Sequence, residues 1–360
     1  MNCIEVEYSE DKERFLGLPK KLYDKNFLTQ DLKTETQILN NSHPLSSDFI
    51  VYPYIVLRED KSVLARAVLT VYPNESVGYI GFFECIDSQK AADLLLNTIK
   101  NKAMELCLVK LIGPLDSSFW IKYRFKIDNF DNCYINEPYN KDYYFKLWTN
   151  WGFKVTDRYY SNQLRVPTEA DSQEKCKQRL DMMKSKGYIF RTATKKSFEK
   201  DLKDIFALMK EVYAKFPMFK PISEEQFIEL YSGLKLILNY DMIHLAYKSE
   251  ELVGFFISIP NYGTIPSYGN GLLNLNVLDF IKILNIKTNP TEYVMLYMGA
   301  SPDHPGLGGA FAELVKNYLQ EHKCRSVGAL IHEGNTSGVF YKNLIVGKYE
   351  YVLMEYSLTL

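Results

Sequence analysis

The sequence has few of the features that give a function away. Its six cysteines, Cys3, Cys85, Cys107, Cys133, Cys176 and Cys324, are scattered over 360 residues, and no two stand at metal-clip or redox spacing. Thiols placed this way read as reduced and buried in a cytoplasmic protein, not as a disulfide framework or zinc ribbon. The five histidines, His43, His244, His304, His322 and His332, form no ligand pattern either, so no metal is expected. No Ser-His-Asp or Cys-His context is visible. Long apolar runs are missing: stretches such as "LVGFFISI" are strand-length and far short of a bilayer span. The opening "MNCIEVEYSEDKERF" carries charges where a secretion signal needs an apolar core, so cytoplasmic localisation without a membrane partner is the expectation. Charge of one sign is lacking as well. With 43 basic and 44 acidic residues the net charge is −1, which offers no bulk attraction to nucleic acid or to an acidic membrane.

What is present is enough chain for two domains and, at 46% apolar residues, enough to bury their cores. The 27 tyrosines are unusually many, so no tyrosine is special by its type alone. Two halves are separated by "PTEADSQEKCKQRLDMMKSKGY", a polar stretch poor in β-branched residues and closed by glycine, which predicts a linking helix within 167–190. In the first half, "YIVLRED" and "SVLARAVLTVY" predict a hairpin and "VGYIGFFECI" a further strand. "DSQKAADLLLNTIKNKAMEL" then predicts a helix capped by Asp87 or Ser88, followed by the strand "LVKLIGPL" and a helix stopping at Gly152. The second half repeats that order. It has amphipathic helices, one opening with the capping-box pair Ser223 and Gln226, then a hairpin in "MIHLAYKSEELVGFFISIP", the strand "TEYVMLYMGAS", a helix, the strand "SVGALIHEG", a short helix and a closing strand. Two α+β halves of like order imply a duplicated architecture.

The stretch "SPDHPGLGGAFAEL" holds Gly306, Gly308 and Gly309 just where the second-half helix must begin. Glycine there either supplies dihedrals for a sharp strand-to-helix turn or lets an anion reach the exposed N–H groups of the helix start. From the residues alone both readings stand.

Taken with the element order around it, this stretch resembles the GNAT superfamily of N-acyltransferases. The family's Gln/Arg-x-x-Gly-x-Gly/Ala turn falls on Pro305-Gly306-Leu307-Gly308-Gly309-Ala310, and Asn335 and Tyr341 are similar to its later Asn and Tyr. Pro305 departs from the pattern, because it brings no positive charge and lacks an N–H. The whole chain is similar to an uncharacterised bacterial group of tandem GNAT-like proteins, on "GFFECID", "GPLDSS", "EPYNKDYY" with "WGFK", and "HEGNTSGVFY" with "YVLMEYSL". The resemblance implies an α+β fold of two tandem GNAT-like domains, each a mixed, mostly antiparallel sheet flanked by helices. Residues 1–166 would form a degenerate copy and 191–360 the copy with a CoA site.

The resemblance further implies acetyl-CoA as cosubstrate. Its pyrophosphate would lie on Gly306, Leu307, Gly308, Gly309 and Ala310, its pantetheine arm along the backbone of Met298, Gly299 and Ala300, and Asn335 would stand beside it. Tyr341 would protonate the leaving thiolate, and His332 or Glu333 would take the amine's proton. The expected reaction is acetyl transfer to a primary amine of a small molecule or peptide, with no nucleic acid as partner and the oligomeric state unread. Two alternatives remain: a non-catalytic binding module of the same fold, and an aminoacyl-tRNA-dependent transferase, against which the missing basic stripe counts.

Overall fold

The computed structural model describes residues 1–265, 277–334 and 341–358. They divide into two compact units. One comprises Met1–Tyr159 with residues 263–265 and 350–358; the other comprises Tyr160–Tyr262 with residues 277–334 and 341–349. Residues 350–358 thus fall with the first unit, although the sequence places them in the second half. The reason is pairing: Met354–Ser357 run antiparallel to Lys110–Gly113.

In the first unit the elements are β1 (Asn2–Glu5), α1 (Ser9–Gly17), α2 (Pro19–Leu22), α3 (Leu32–Leu39), β2 (Ile50–Leu57), β3 (Val63–Val71), β4 (Val77–Cys85), α4 (Gln89–Glu105), β5 (Lys110–Gly113), β6 (Phe125–Lys126), α5 (Tyr144–Trp151) and the start of β7 (Lys154–Leu164). Strands β1 to β4 form an antiparallel meander, and β5 joins β4 in parallel after the α4 crossover. α4 is capped by Ser88, whose hydroxyl accepts from Ala91 N–H. Its Ala91, Leu95 and Ile99 recur at helical spacing and are buried against the sheet. α5 stops at Gly152 because only a glycine adopts φ +122° without strain.

The second unit repeats the plan with α6 (Glu174–Ser185), β8 (Ile189–Thr192), α7 (Phe198–Val212), α8 (Glu224–Tyr231), β9 (Ile243–Lys248), β10 (Glu251–Pro260), α9 (Val277–Thr288), β11 (Glu292–Ala300), α10 (Leu307–Glu321), β12 (Arg325–His332) and the start of β13 (Ile345–Ser357). β8 to β11 are antiparallel neighbours, and β12 joins β11 in parallel after α10. The capping box of Ser223 and Gln226 opens α8. The stretch read as a linking helix forms α6, and its apolar face is buried inside the second unit: Leu180 and Met183 pack with Leu307, Ala310 and Phe311 of α10. α9 was not foreseen; its exposed Val277, Leu278 and Ile281 give no amphipathic signal to read.

Among the described residues each unit contains a parallel strand pair, and the two pairs behave differently. In the first unit Val77–Tyr79 pair with Lys110–Ile112, and the chain leaving β5 stays against β4. Leu115 N–H donates to Ile80 O at 2.8 Å, and the Asp116 carboxylate accepts from Phe82 N–H. The approach is so close that a Cβ added at Gly81 would stand 2.1 Å from the Leu115 carbonyl oxygen. In the second unit, pairing runs from Glu292–Arg325 to Met295–Gly328 and ends. β12 then bends away at Leu330, which has φ +54° and gives its N–H to Ser161 Oγ on β7 at 2.9 Å. Gly81→Ala sets backbone against backbone, so it should destabilise the protein by about 2–3 kcal/mol in chemical denaturation; a loss under 1 kcal/mol, roughly the scatter expected of a tolerated core swap, would mean the contact yields easily.

Candidate functional site

The candidate site of the second unit lies where β11 and β12 part. Met298, Gly299 and Ala300 occupy the end of β11, beyond its last pair with β12, and remain bonded to β10 opposite Phe256, Phe255 and Gly254. Gly299 is needed for packing: an added Cβ would stand 2.5 Å from the Phe255 ring. The Met298 carbonyl accepts a hydrogen bond from the Tyr213 hydroxyl at 3.2 Å. Tyr213 follows α7, and Phe216 after it sets its ring 6.2 Å from that of His332, at the end of β12. Tyr231 and Tyr297 bring their hydroxyls within 3.4 Å of each other. Sequence reasoning singled out none of these tyrosines, because 27 of them leave no contrast.

Just beyond β11 the chain turns at Gly306, whose φ of +103° is costly for any other residue, and enters α10. The first helical bonds run from Gly309 and Ala310 N–H to the Gly306 carbonyl, at 3.1 and 3.2 Å. The N–H groups of Leu307 and Gly308 take no acceptor among the described residues. They are the orphan donors that every helix start carries, and they make up the positive end of the helix dipole. Leu307, Gly309 and Ala310 are buried, so this start is held rigidly. Gly309 has a second reason to be glycine. Arg179 of α6 crosses it, and a Cβ there would stand 3.0 Å from Arg179 Cδ and 3.4 Å from its guanidinium. Met183 lies likewise 3.3 Å from a Cβ built on Gly306. The glycines thus serve helix-on-helix approach as well as the turn. Arg179 itself is exposed and makes no ion pair or hydrogen bond among the described residues. It brings to this helix start the positive charge that Pro305 does not supply.

The remaining sequence-derived candidates fall into two groups. His332 is half-buried at the strand end and Glu333 is exposed beside it, so both stand at the parting of the strands. Tyr341, just before a short turn at Lys342–Leu344, packs against α10 away from its start. It sits buried in the left-handed region with φ +55°, and its hydroxyl donates to Glu313 Oε2 at 3.3 Å. Glu313 is six residues into the helix, about 9 Å along its axis from Leu307. Burial, reinforced by the Glu313 charge, pushes the Tyr341 hydroxyl far above its usual range. Asn335 lies outside the described residues. No group of three or more His, Cys, Asp or Glu side chains among the described residues is arranged to hold a metal, and no described helix is long and apolar enough to cross a membrane.

No family model and no curated protein matches the sequence. Solved structures do match over the whole chain. The tandem GNAT protein from the clavulanic acid biosynthesis pathway is 10% identical, with all of this chain and 99% of that one covered and a TM-score of 0.52. The GCN5-related N-acetyltransferase from Sphaerobacter thermophilus is 10% identical over 99% of this chain and 96% of that one, with a TM-score of 0.51. The GCN5-related N-acetyltransferase from Anabaena variabilis is 7% identical over 99% and 73%, with a TM-score of 0.53. At such identities the likeness is one of fold. The chain has the tandem GNAT fold, an α+β architecture used twice, as the order of its elements implied.

Because the Tyr341 hydroxyl belongs to a buried contact with Glu313, Tyr341→Phe should lower stability by about 1–3 kcal/mol, read as a shift in the denaturation midpoint. Unchanged stability with lost activity would instead give the hydroxyl a chemical role.

Proposed function

We propose that this chain is an N-acyltransferase that takes an acetyl group from acetyl-CoA and passes it to a primary amine, using the second unit alone. The observation that carries this reading is the parting of β11 and β12 next to the open start of α10. A CoA pyrophosphate needs several donors at once, and the Leu307 and Gly308 N–H groups offer them, with the helix dipole contributing roughly 0.3–1 kcal/mol. Arg179 would add a charge-assisted contact beside Gly309. The backbone of Met298, Gly299 and Ala300 would hold the pantetheine arm in the manner of an added strand. His332 or Glu333, at the end of β12, would take the proton the amine must lose as its nitrogen attacks the thioester carbonyl. We assign Tyr341 to packing. Proton return to the departing sulfur would then fall to another group or to water.

In the first unit the equivalent space is taken by Leu115 and Asp116, so no acyl donor is expected there. The acceptor in this reading is a primary amine of a small molecule or peptide.

Thermal denaturation with increasing acetyl-CoA tests the reading. At 100 times its dissociation constant the ligand should stabilise by about 2.7 kcal/mol, which is several degrees. Arg179→Ala should weaken binding by about tenfold or more, and Gly308→Glu should abolish it by placing an anion where the pyrophosphate would lie. Absence of stabilisation in the parent protein would point to a binding module that has kept the fold without the donor. Full binding by Gly308→Glu would overturn the assigned site.

A further inference from the structure

A separate feature of the first unit, independent of the acyl-donor reading, is a cavity of about 40 Å³, room for roughly three water molecules. Its walls include Arg66, Glu84, Asp116, Lys122 and Arg124. The charges are unequally matched. Arg66 is engaged: its two terminal nitrogens bond both oxygens of Glu35 at 2.7 and 2.8 Å. Asp116 accepts from Phe82 N–H and stands 3.9 Å from Lys122 Nζ. Glu84 accepts from the Tyr144 hydroxyl at 2.7 Å. Burial pushes both of these carboxyl groups above their ordinary range, against the opposing pull of Arg66 and Lys122.

Arg124 has no such partner. It is buried, with 6% of its surface exposed, and no carboxylate lies within ion-pair distance among the described residues. Its guanidinium rests against the rings of Tyr123 and Tyr159, 3.6 and 3.9 Å from their centroids. One terminal nitrogen donates to the Tyr123 hydroxyl, and Nε has no acceptor among the described residues. The residue is held at φ +89°, a conformation an arginine adopts only when its surroundings impose it. Burial lowers its pKa to about 10, so it stays charged at neutral pH.

We infer that this cavity is a binding site for a small monocarboxylate, held side-on by the guanidinium of Arg124. A carboxylate matches the planar fork of Nε and a terminal nitrogen with two parallel hydrogen bonds. It would supply the buried guanidinium with the counter-charge it lacks and the acceptor its Nε lacks. The flanking tyrosine rings fix the plane of the fork. Size favours a carboxylate over phosphate: the space holds only a few heavy atoms.

The probe is acetate, titrated into the intact protein at constant ionic strength with sodium chloride as the balancing salt and inorganic phosphate as comparator. Saturable changes in the amide spectrum centred on Phe82, Asp116 and Arg124, absent with phosphate, are expected. Arg124→Lys keeps the charge and removes the fork, so it should weaken acetate by about tenfold or more, while Arg179→Ala leaves it unchanged. If the lysine variant does not fold, the parent spectra decide. Changes that are absent, or that grow linearly and spread over the surface, would overturn the site. So would equal effects of phosphate and acetate, or a folded Arg124→Lys protein that binds acetate as tightly as the parent.

Discussion

Where two parallel strands part, the backbone groups between them lose their partners, and buried polar groups without partners are costly. Each unit of this protein meets that constraint once. In the first unit the chain leaving β5 meets it, through Leu115 N–H on Ile80 O and the Asp116 carboxylate on Phe82 N–H. In the second unit β12 turns aside at Leu330 to bond Ser161, and the far end of β11 is left beside the start of α10. The same fold thus yields one closed copy and one open one. The backbone at each parting carries a non-glycine residue with positive φ, Phe82 in one unit and Leu330 in the other.

The closed first copy also carries buried polar groups. Lys126 and Glu137 form an ion pair at 2.6 Å with neither side chain exposed, and the Tyr351 hydroxyl adds a bond to the same carboxylate. Charges buried this deeply persist only with partners, because desolvation otherwise outweighs the attraction. The same unit holds an aromatic cluster in which Phe83 and Phe125 each meet both Trp148 and Tyr144 edge to face. Arg124 stands out against this background as a buried charge with no carboxylate partner among the described residues. In the second copy the comparable polar investment is on α10, where Glu313 holds both Lys316 and Tyr341.

Much of the fold was legible because its signals are local. Period-two apolar runs marked the hairpins, Ser88, Ser223 and Gly152 marked helix ends, and the repeat of element order marked the duplication. What was not legible depends on contacts distant in sequence. Nothing in the polar helix α6 shows that Arg179 and Met183 cross Gly309 and Gly306, so this packing reason for the glycines has no trace in the sequence. The bond from Tyr341 to Glu313 joins residues 28 apart and leaves no periodic trace. The return of residues 350–358 to the first unit is a matter of strand pairing, and pairing partners are not written in composition. The buried cluster around Arg124 was missed for the same reason, since its tyrosines are individually unremarkable among 27.

The central claim is that one parting of strands is open to an acyl donor and the other is filled by the protein itself. Amide hydrogen exchange with and without acetyl-CoA tests it most directly. The account predicts slower exchange at residues 298–300 and at Leu307 and Gly308, with no change at residues 80–84 of the first unit. Protection at residues 80–84, or none at the start of α10 under saturating acetyl-CoA, would contradict it.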